Sequence, residues 1–213
     1  MKNTVLQKIQ SQYTLEKRDM GNLTQIRKGI YRFDNEAYTI KDTGNLFIME
    51  MKALFGLMKM ETIVITPLQK DLSFCNFDIV NAMGRETYIF EMYESSLADT
   101  DLSAFEKIKE KYAYLTSYPT EPRWYDEVRL PSSISKTGKK ISSDADRMSE
   151  ECLDTYLELL KSAPDCNSEE KKNAVRKYVD RLISEGGMAV DSMNKIIGPE
   201  DTARLIRDFM YHV

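Results

Sequence analysis

The segment Tyr88-Ile89-Phe90-Glu91-Met92-Tyr93 sets one carboxylate among apolar and aromatic residues. Odd and even positions are alike apolar, which reads as a strand buried on both faces, with Glu91 its one exception. A carboxylate in such a strand costs several kcal/mol, as an order of magnitude, unless it is paired, hydrogen-bonded, protonated or beside a polar cavity. Something must compensate Glu91.

The remaining inventory narrows the chemistry. The only histidine, His212, stands next to the last residue, and Cys75, Cys152 and Cys166 lack ligand spacing, which leaves little support for a protein-built zinc or haem site. Three scattered cysteines fit reduced thiols better than a disulfide framework. Phosphate loops, dinucleotide fingerprints and the Gly-x-Ser-x-Gly elbow are missing from the sequence. Chemistry must then run on carboxylates, tyrosines or a bound organic molecule. With 30 Lys and Arg against 34 Asp and Glu, the net charge of −4 argues against general affinity for nucleic acid or anionic lipid. No segment reaches the roughly 20 apolar residues that cross a bilayer, and the start lacks an apolar leader core, so a cytoplasmic protein is expected.

The elements that must position Glu91 follow from periodicity. A content of 42% hydrophobic residues over 213 residues, without a linker-like composition shift, predicts one domain, 1–213. Val5, Leu6, Ile9 and Tyr13 have helical spacing. Residues 20–42 carry weak patterning, with Ile30-Tyr31-Arg32-Phe33 as a short strand. Leu46–Leu54 and Met58–Thr66 flank a glycine turn as two strands, the second placing Met58, Met60, Thr62, Val64 and Thr66 on one face. Such a methionine-rich face is either ordinary core or an adaptable wall for a flat aromatic ligand. Pro67 closes that strand, and Cys75–Val80 and Tyr88–Tyr93 form a hairpin about Met83-Gly84-Arg85.

Beyond Tyr93, Asp101 precedes a helical stripe of Leu102, Phe105, Ile108, Tyr112 and Leu115. Residues 116–143 follow neither period and hold Pro122, Pro131 and the only tryptophan, Trp124. Their bases, Arg123, Arg129, Lys136, Lys139 and Lys140, outnumber their acids, which fits a solvated loop or a site for anionic groups. Helices capped by Ser143 and Ser168 come next, ending at Pro164 and Gly186-Gly187, and a shorter helix stops at Gly198 before one opened by Pro199. Strands followed by helices, with central strands apolar on both faces, predict an α+β protein: a three-layer α/β/α sandwich about an antiparallel sheet.

In their shared order, several of these residues resemble the ferredoxin-dependent bilin reductases. They are Asn76-Phe77-Asp78-Ile79-Val80 after a proline, the glycine turn, Tyr88-Ile89-Phe90-Glu91, the Pro122-Arg123-Trp124 loop, and the closing helices with Gly198-Pro199-Glu200-Asp201. The resemblance spans about residues 46–210. It implies a linear tetrapyrrole held between sheet and C-terminal helices. Reduction would proceed one electron at a time from external reduced ferredoxin, with no bound cofactor, through radicals protonated by side chains. Glu91 falls where many members carry a catalytic aspartate, which makes it the expected proton donor, its pKa raised by partial desolvation. The alternative for Glu91 is a structural pair with a buried arginine.

Departures from the family pattern are plain. A histidine found on the preceding strand in some members is replaced by the run Glu61-Thr62-Ile63-Val64. The Asn-Asp pair between the last helices falls on Gly186-Gly187, leaving Glu185 as a substitute acid or a solvated helix end. Arg123 and Arg129 stand nearest to the family's propionate-binding bases, and Met60, Thr62, Val64, Asn76 and Trp124 complete the substrate-binding set that the resemblance implies. The competing readings are a non-catalytic tetrapyrrole carrier on the same fold and an unrelated scaffold or interaction protein.

Overall fold

A computed structural model describes residues 1–119 and 122–213, together with all side chains among them except that of Met188; two residues of the long loop therefore lie outside it. Eight strands are present among the described residues: β1 Leu15–Arg18, β2 Gln25–Lys28, β3 Tyr31–Ile40, β4 Gly44–Ala53, β5 Met58–Pro67, β6 Cys75–Ala82, β7 Arg85–Met92 and β8 Ile134–Gly138. They form one antiparallel sheet in the order β1-β3-β4-β5-β6-β7-β8, with β2 beside β1 on the same edge of β3. From β2 to β7 sequential strands pair through connections of two to seven residues, whereas the β7–β8 connection is long and contains a helix, and β1 pairs with β3 rather than with β2.

Alternation along the strands builds two cores. On one face Leu46, Ile48, Ile63, Ile65, Phe77 and Phe90 pack against α1 (Lys2–Gln10), α2 (Ala104–Lys111) and α3 (Ser142–Ser162). On the other, Phe47, Met49 and Val64 meet α4 (Ser168–Glu185), α5 (Met188–Ile197), and the closing segment of α6 (Pro199–Arg204) and a π-helical turn, Leu205–Tyr211. The expected α/β/α sandwich is the observed architecture. No helix of the described residues is long and apolar enough to cross a membrane.

Three details depart from expectation. Strand β7 is buried on one face only: Tyr88, Phe90 and Met92 are inside, while Thr87, Ile89 and Glu91 are half-buried. Its second face lies beside β8, where Ser135 and Thr137 oppose Ile89 and Thr87, so the surroundings of Glu91 are more polar than its own segment suggests. The short strand expected at residues 30–33 is the start of the ten-residue β3. Ser143 does not cap α3; the Glu86 carboxylate, reaching across from β7, accepts the Ile141 and Ser142 N–H groups at 2.7 and 2.9 Å. Likewise Asn167, not Ser168, caps α4 by accepting from the Glu169 and Glu170 N–H groups.

One buried ion pair ties the second layer down. Lys171, fully buried at the start of α4, donates to the Ser95 carbonyl at 2.6 Å and reaches Asp71 at 3.3 Å. Asp71 in turn accepts the Leu97 and Ala98 N–H groups. Every lone pair and proton so engaged offsets the desolvation that a buried charge would otherwise suffer.

The α3 cap gives a direct test. Glu86→Ala should cost about 1–2 kcal/mol in urea unfolding, because two helix-end donors and a favourable charge at the N-terminus are lost together. Ser143→Ala should stay within about 0.5 kcal/mol of the parent.

Candidate functional site

Cross-strand register decides which side chains meet on the second face of the sheet. Val64, Asn76 and Glu91 stand in one row across β5, β6 and β7, and Thr62, Asp78, Ile89 and Ser135 in the next. Met60, Val80, Thr87 and Thr137 form a third. Four of the residues expected to contact substrate, Met60, Thr62, Val64 and Asn76, therefore share a face with Glu91. They also share it with an acid not among those expected, Asp78.

Asp78 is half-buried, and among the described residues its one hydrogen-bonding side chain is Thr62, whose hydroxyl donates to it at 2.5 Å. No base lies within ion-pairing distance among the described residues. Burial pushes its pKa up to about 6, and the nearby Glu91 charge adds to the shift while the Thr62 hydrogen bond opposes it.

Glu91 has the opposite surroundings. Arg129 donates to it at 3.1 Å and the Tyr93 hydroxyl at 2.6 Å, with the Glu91 side chain 15% exposed. Arg129 also holds Asp126 at 2.8 Å. Glu91 is thus compensated as its strand required, and by an arginine, the arrangement that the structural alternative described. The same geometry corrects Arg129, which already carries two carboxylates and is not an open anion site.

Above the rows lies a tyrosine cluster. Tyr93, Tyr178 of α4 and Tyr211 of the π-helical turn surround Phe74, with ring centroids 4.8 to 5.8 Å apart. Asn76 donates to the Tyr211 hydroxyl at 3.4 Å. Burial drives the ionisation of all three tyrosines upward, and the Glu91 charge contributes to each, so they stay protonated donors. The π turn presents Tyr211 to the sheet because Arg18 and Asn45 hold its carbonyls: both donate to Phe209, and Asn45 also to Met210.

Trp124 joins this cluster from the loop side. It packs on Tyr125 and Tyr178, its indole N–H donates to the Gly186 carbonyl at 2.8 Å, and the Arg181 guanidinium covers its ring. Gly186 and Gly187, where a second acid was sought, serve instead as a dock for this loop. Arg123 begins the helical turn at Trp124, its N–H donating to Asp126. Glu185 stands apart, exposed and hydrogen-bonded by Arg181 at 2.7 Å, which holds its carboxyl below the usual range. That placement suits the solvated helix end and gives it no carboxyl facing the sheet.

Beside Glu91 the surface opens into a cleft of about 130 Å³ lined by Arg129, Ser133, Ile134 and Ser135. A larger concavity, about 440 Å³, lies at the other end of α4 between Arg18, Lys172, Arg176 and His212 and holds none of the expected residues. Superposed on solved structures, the chain matches selenomethionine phytochromobilin synthase from tomato in complex with biliverdin. The TM-score is 0.80 over 99% of this chain and 81% of that one. The fold is that of phytochromobilin synthase. This is the fold that the resemblance to bilin reductases implied, reached at only 9% sequence identity, so the likeness is one of backbone. No family model and no curated protein matches the sequence. Side-chain roles must therefore come from this chain's own geometry.

The sequence held one signal for Asp78: aspartate is depleted in strand interiors, and this one sits between Phe77 and Ile79. A pKa raised in the folded state means that the stability contributed by Asp78 is fully present below pH about 4 and is lost as pH rises through about 6. Asp78→Asn keeps an acceptor for Thr62 and removes that loss. It should stabilise the fold by up to ~2 kcal/mol at pH 8 and by little at pH 4, as read from urea unfolding at both values.

Proposed function

We propose that this chain binds a linear tetrapyrrole against the second face of the sheet and reduces it with electrons from an external one-electron carrier such as ferredoxin. The observation that carries the reading is Asp78: a desolvated, unpaired acid that titrates near pH 6, in a fold shared with a protein crystallised with biliverdin. Reduction of one double bond takes up two electrons and two protons. An acid poised near neutral pH both gives a proton to an electron-rich bilin radical and recovers it from water. Glu91 is the supporting acid; its negative charge keeps the Asp78 proton in place, and Arg129 and Tyr93 fix its orientation. Tyr178 and Tyr211 offer hydroxyl donors to bilin carbonyls while that of Tyr93 is given to Glu91, and Thr62 and Asn76 orient the acid and the ring edge.

A ligand of four rings needs a pocket of roughly 300–1,000 Å³, and the cleft at Glu91 is below that range. Binding must widen it, and the Trp124 loop, held on α4 by the indole hydrogen bond, ring packing and the Arg181 contacts to Trp124 and Glu127, is the element beside the cleft that would move. The same narrow cleft and arginine-paired Glu91 favour one second reading, a tetrapyrrole carrier without turnover.

Titration with biliverdin should give a saturable shift of its visible band, and adding reduced ferredoxin anaerobically should then change the spectrum progressively. In Asp78→Asn, binding should persist while the rate falls at least ~100-fold, the lower bound for loss of a proton donor. Glu91→Gln should have the smaller effect. A band shift without progressive change would leave the carrier; absence of saturable binding would reject the tetrapyrrole site.

A further inference from the structure

One end of the sheet shows two features that the site described above does not use. The first is a row of cations. Arg27, Arg32, Lys52 and Lys59 are direct cross-strand partners on β2, β3, β4 and β5. Strands lie ~4.8 Å apart, so four positive charges stand side by side over three such steps. Like charges in directly opposed positions destabilise a sheet. Arg27 finds Asp34, but Arg32, Lys52 and Lys59 have no carboxylate within 4.0 Å among the described residues. The acids of the next row inward, Asp34, Glu50 and Glu61, are turned to Arg27, Lys2 and the amine of Met1.

The second feature lies just beyond that row. Three hairpin turns end there, β2–β3, β4–β5 and β6–β7, and each carries a large apolar residue into solvent. Phe55 is 102% exposed, Met83 81%, Leu57 64% and Ile30 44%. The β4–β5 and β6–β7 tips are joined by a hydrogen bond from the Met83 N–H to the Leu57 carbonyl. Moreover, Leu54, Phe55 and Met83 adopt left-handed backbone, with φ of 52°, 57° and 52°. Glycine or asparagine takes that conformation with little strain, whereas bulky side chains do not. Exposure and strain coincide at Phe55 and Met83.

We infer that this end of the sheet docks on an anionic lipid surface, the turn residues Phe55, Leu57 and Met83 entering the interfacial layer while Arg32, Lys52 and Lys59 meet the headgroups. The exposed apolar residues sit on three separate hairpin turns, a spread that a deformable bilayer accommodates. Local charge, not the overall −4, sets this attraction, because surface potential decays within about 8–10 Å at ordinary salt. The inference is independent of the proposed tetrapyrrole chemistry.

The test uses the full chain with vesicles of phosphatidylcholine, with and without phosphatidylserine. Co-sedimentation should require phosphatidylserine and weaken as salt rises. Affinity should fall at least ~10-fold in Lys52→Glu with Lys59→Glu, and comparably in Phe55→Ser with Leu57→Ser, both checked for folding by circular dichroism. In Phe55→Trp, emission should shift to the blue on anionic vesicles and be quenched by brominated lipid. Any one of three results overturns the assignment: no sedimentation of folded protein at low salt, an unshifted Phe55→Trp signal, or binding that survives both double variants. Retention by an immobilised acidic protein such as ferredoxin, lost in Lys52→Glu with Lys59→Glu while vesicles bind nothing, would reassign the surface to a protein partner and also overturn it.

Discussion

Period-two alternation, locked by the register of β5, β6 and β7, is the constraint on which the site depends. It leaves Asp78 no choice of side: with Phe77 and Ile79 committed to the first core, its carboxyl must face α4 and the closing helical turn. Its carboxyl is half-buried there, and one hydroxyl, Thr62, is what the sheet supplies. Ionising a carboxyl in that position is unfavourable, so the group keeps its proton closer to neutral pH than an exposed aspartate does.

Around that acid the molecule separates charge from hydrogen bonding. Glu91, one row and one strand away, is fully engaged by Arg129 and Tyr93, so its negative charge is fixed in place. Arg129 is itself fixed by Asp126 in the Trp124 turn. The loop that packs Trp124 against α4 therefore also sets the geometry of Glu91, through a single guanidinium. Two carboxylates of similar chemistry acquire different characters from their neighbours alone.

Much of this could be read from the amino acids, and the failures have physical causes. The β4–β5 and β6–β7 hairpins and the C-terminal helices announce themselves by apolar period and by glycine and proline at their ends. Strand β3 was obscured because its inward-facing row includes Asn35, buried and donating to the Leu23 carbonyl, which interrupts the apolar alternation. Strand β8 was obscured by Lys136, buried with its ammonium on the Leu115 carbonyl. Glu91 drew attention for its contrast with its own strand, whereas Asp78 looked like the polar side of an ordinary half-exposed one. Its isolation from any base becomes visible only when neighbouring strands are aligned. The role of the long loop was half legible: Trp124 does reach the site's aromatic cluster, but Arg129 is consumed by internal pairing.

The Lys171–Asp71 pair has a mechanical consequence. Because that ammonium is shared between Asp71 and the Ser95 carbonyl, and Asp71 also fastens the 97–98 backbone, swinging the start of α4 outward would strip several partners from a charge that has no water to replace them. That end of the helix behaves as a pivot. Compliance is displaced to the opposite end, where Gly186-Gly187 interrupts the chain and the indole of Trp124 grips by a single bond. The two ends of α4 are therefore held by different means, a buried charge at one and aromatic and surface contacts at the other, so the tryptophan end is the one whose release exposes no buried ion.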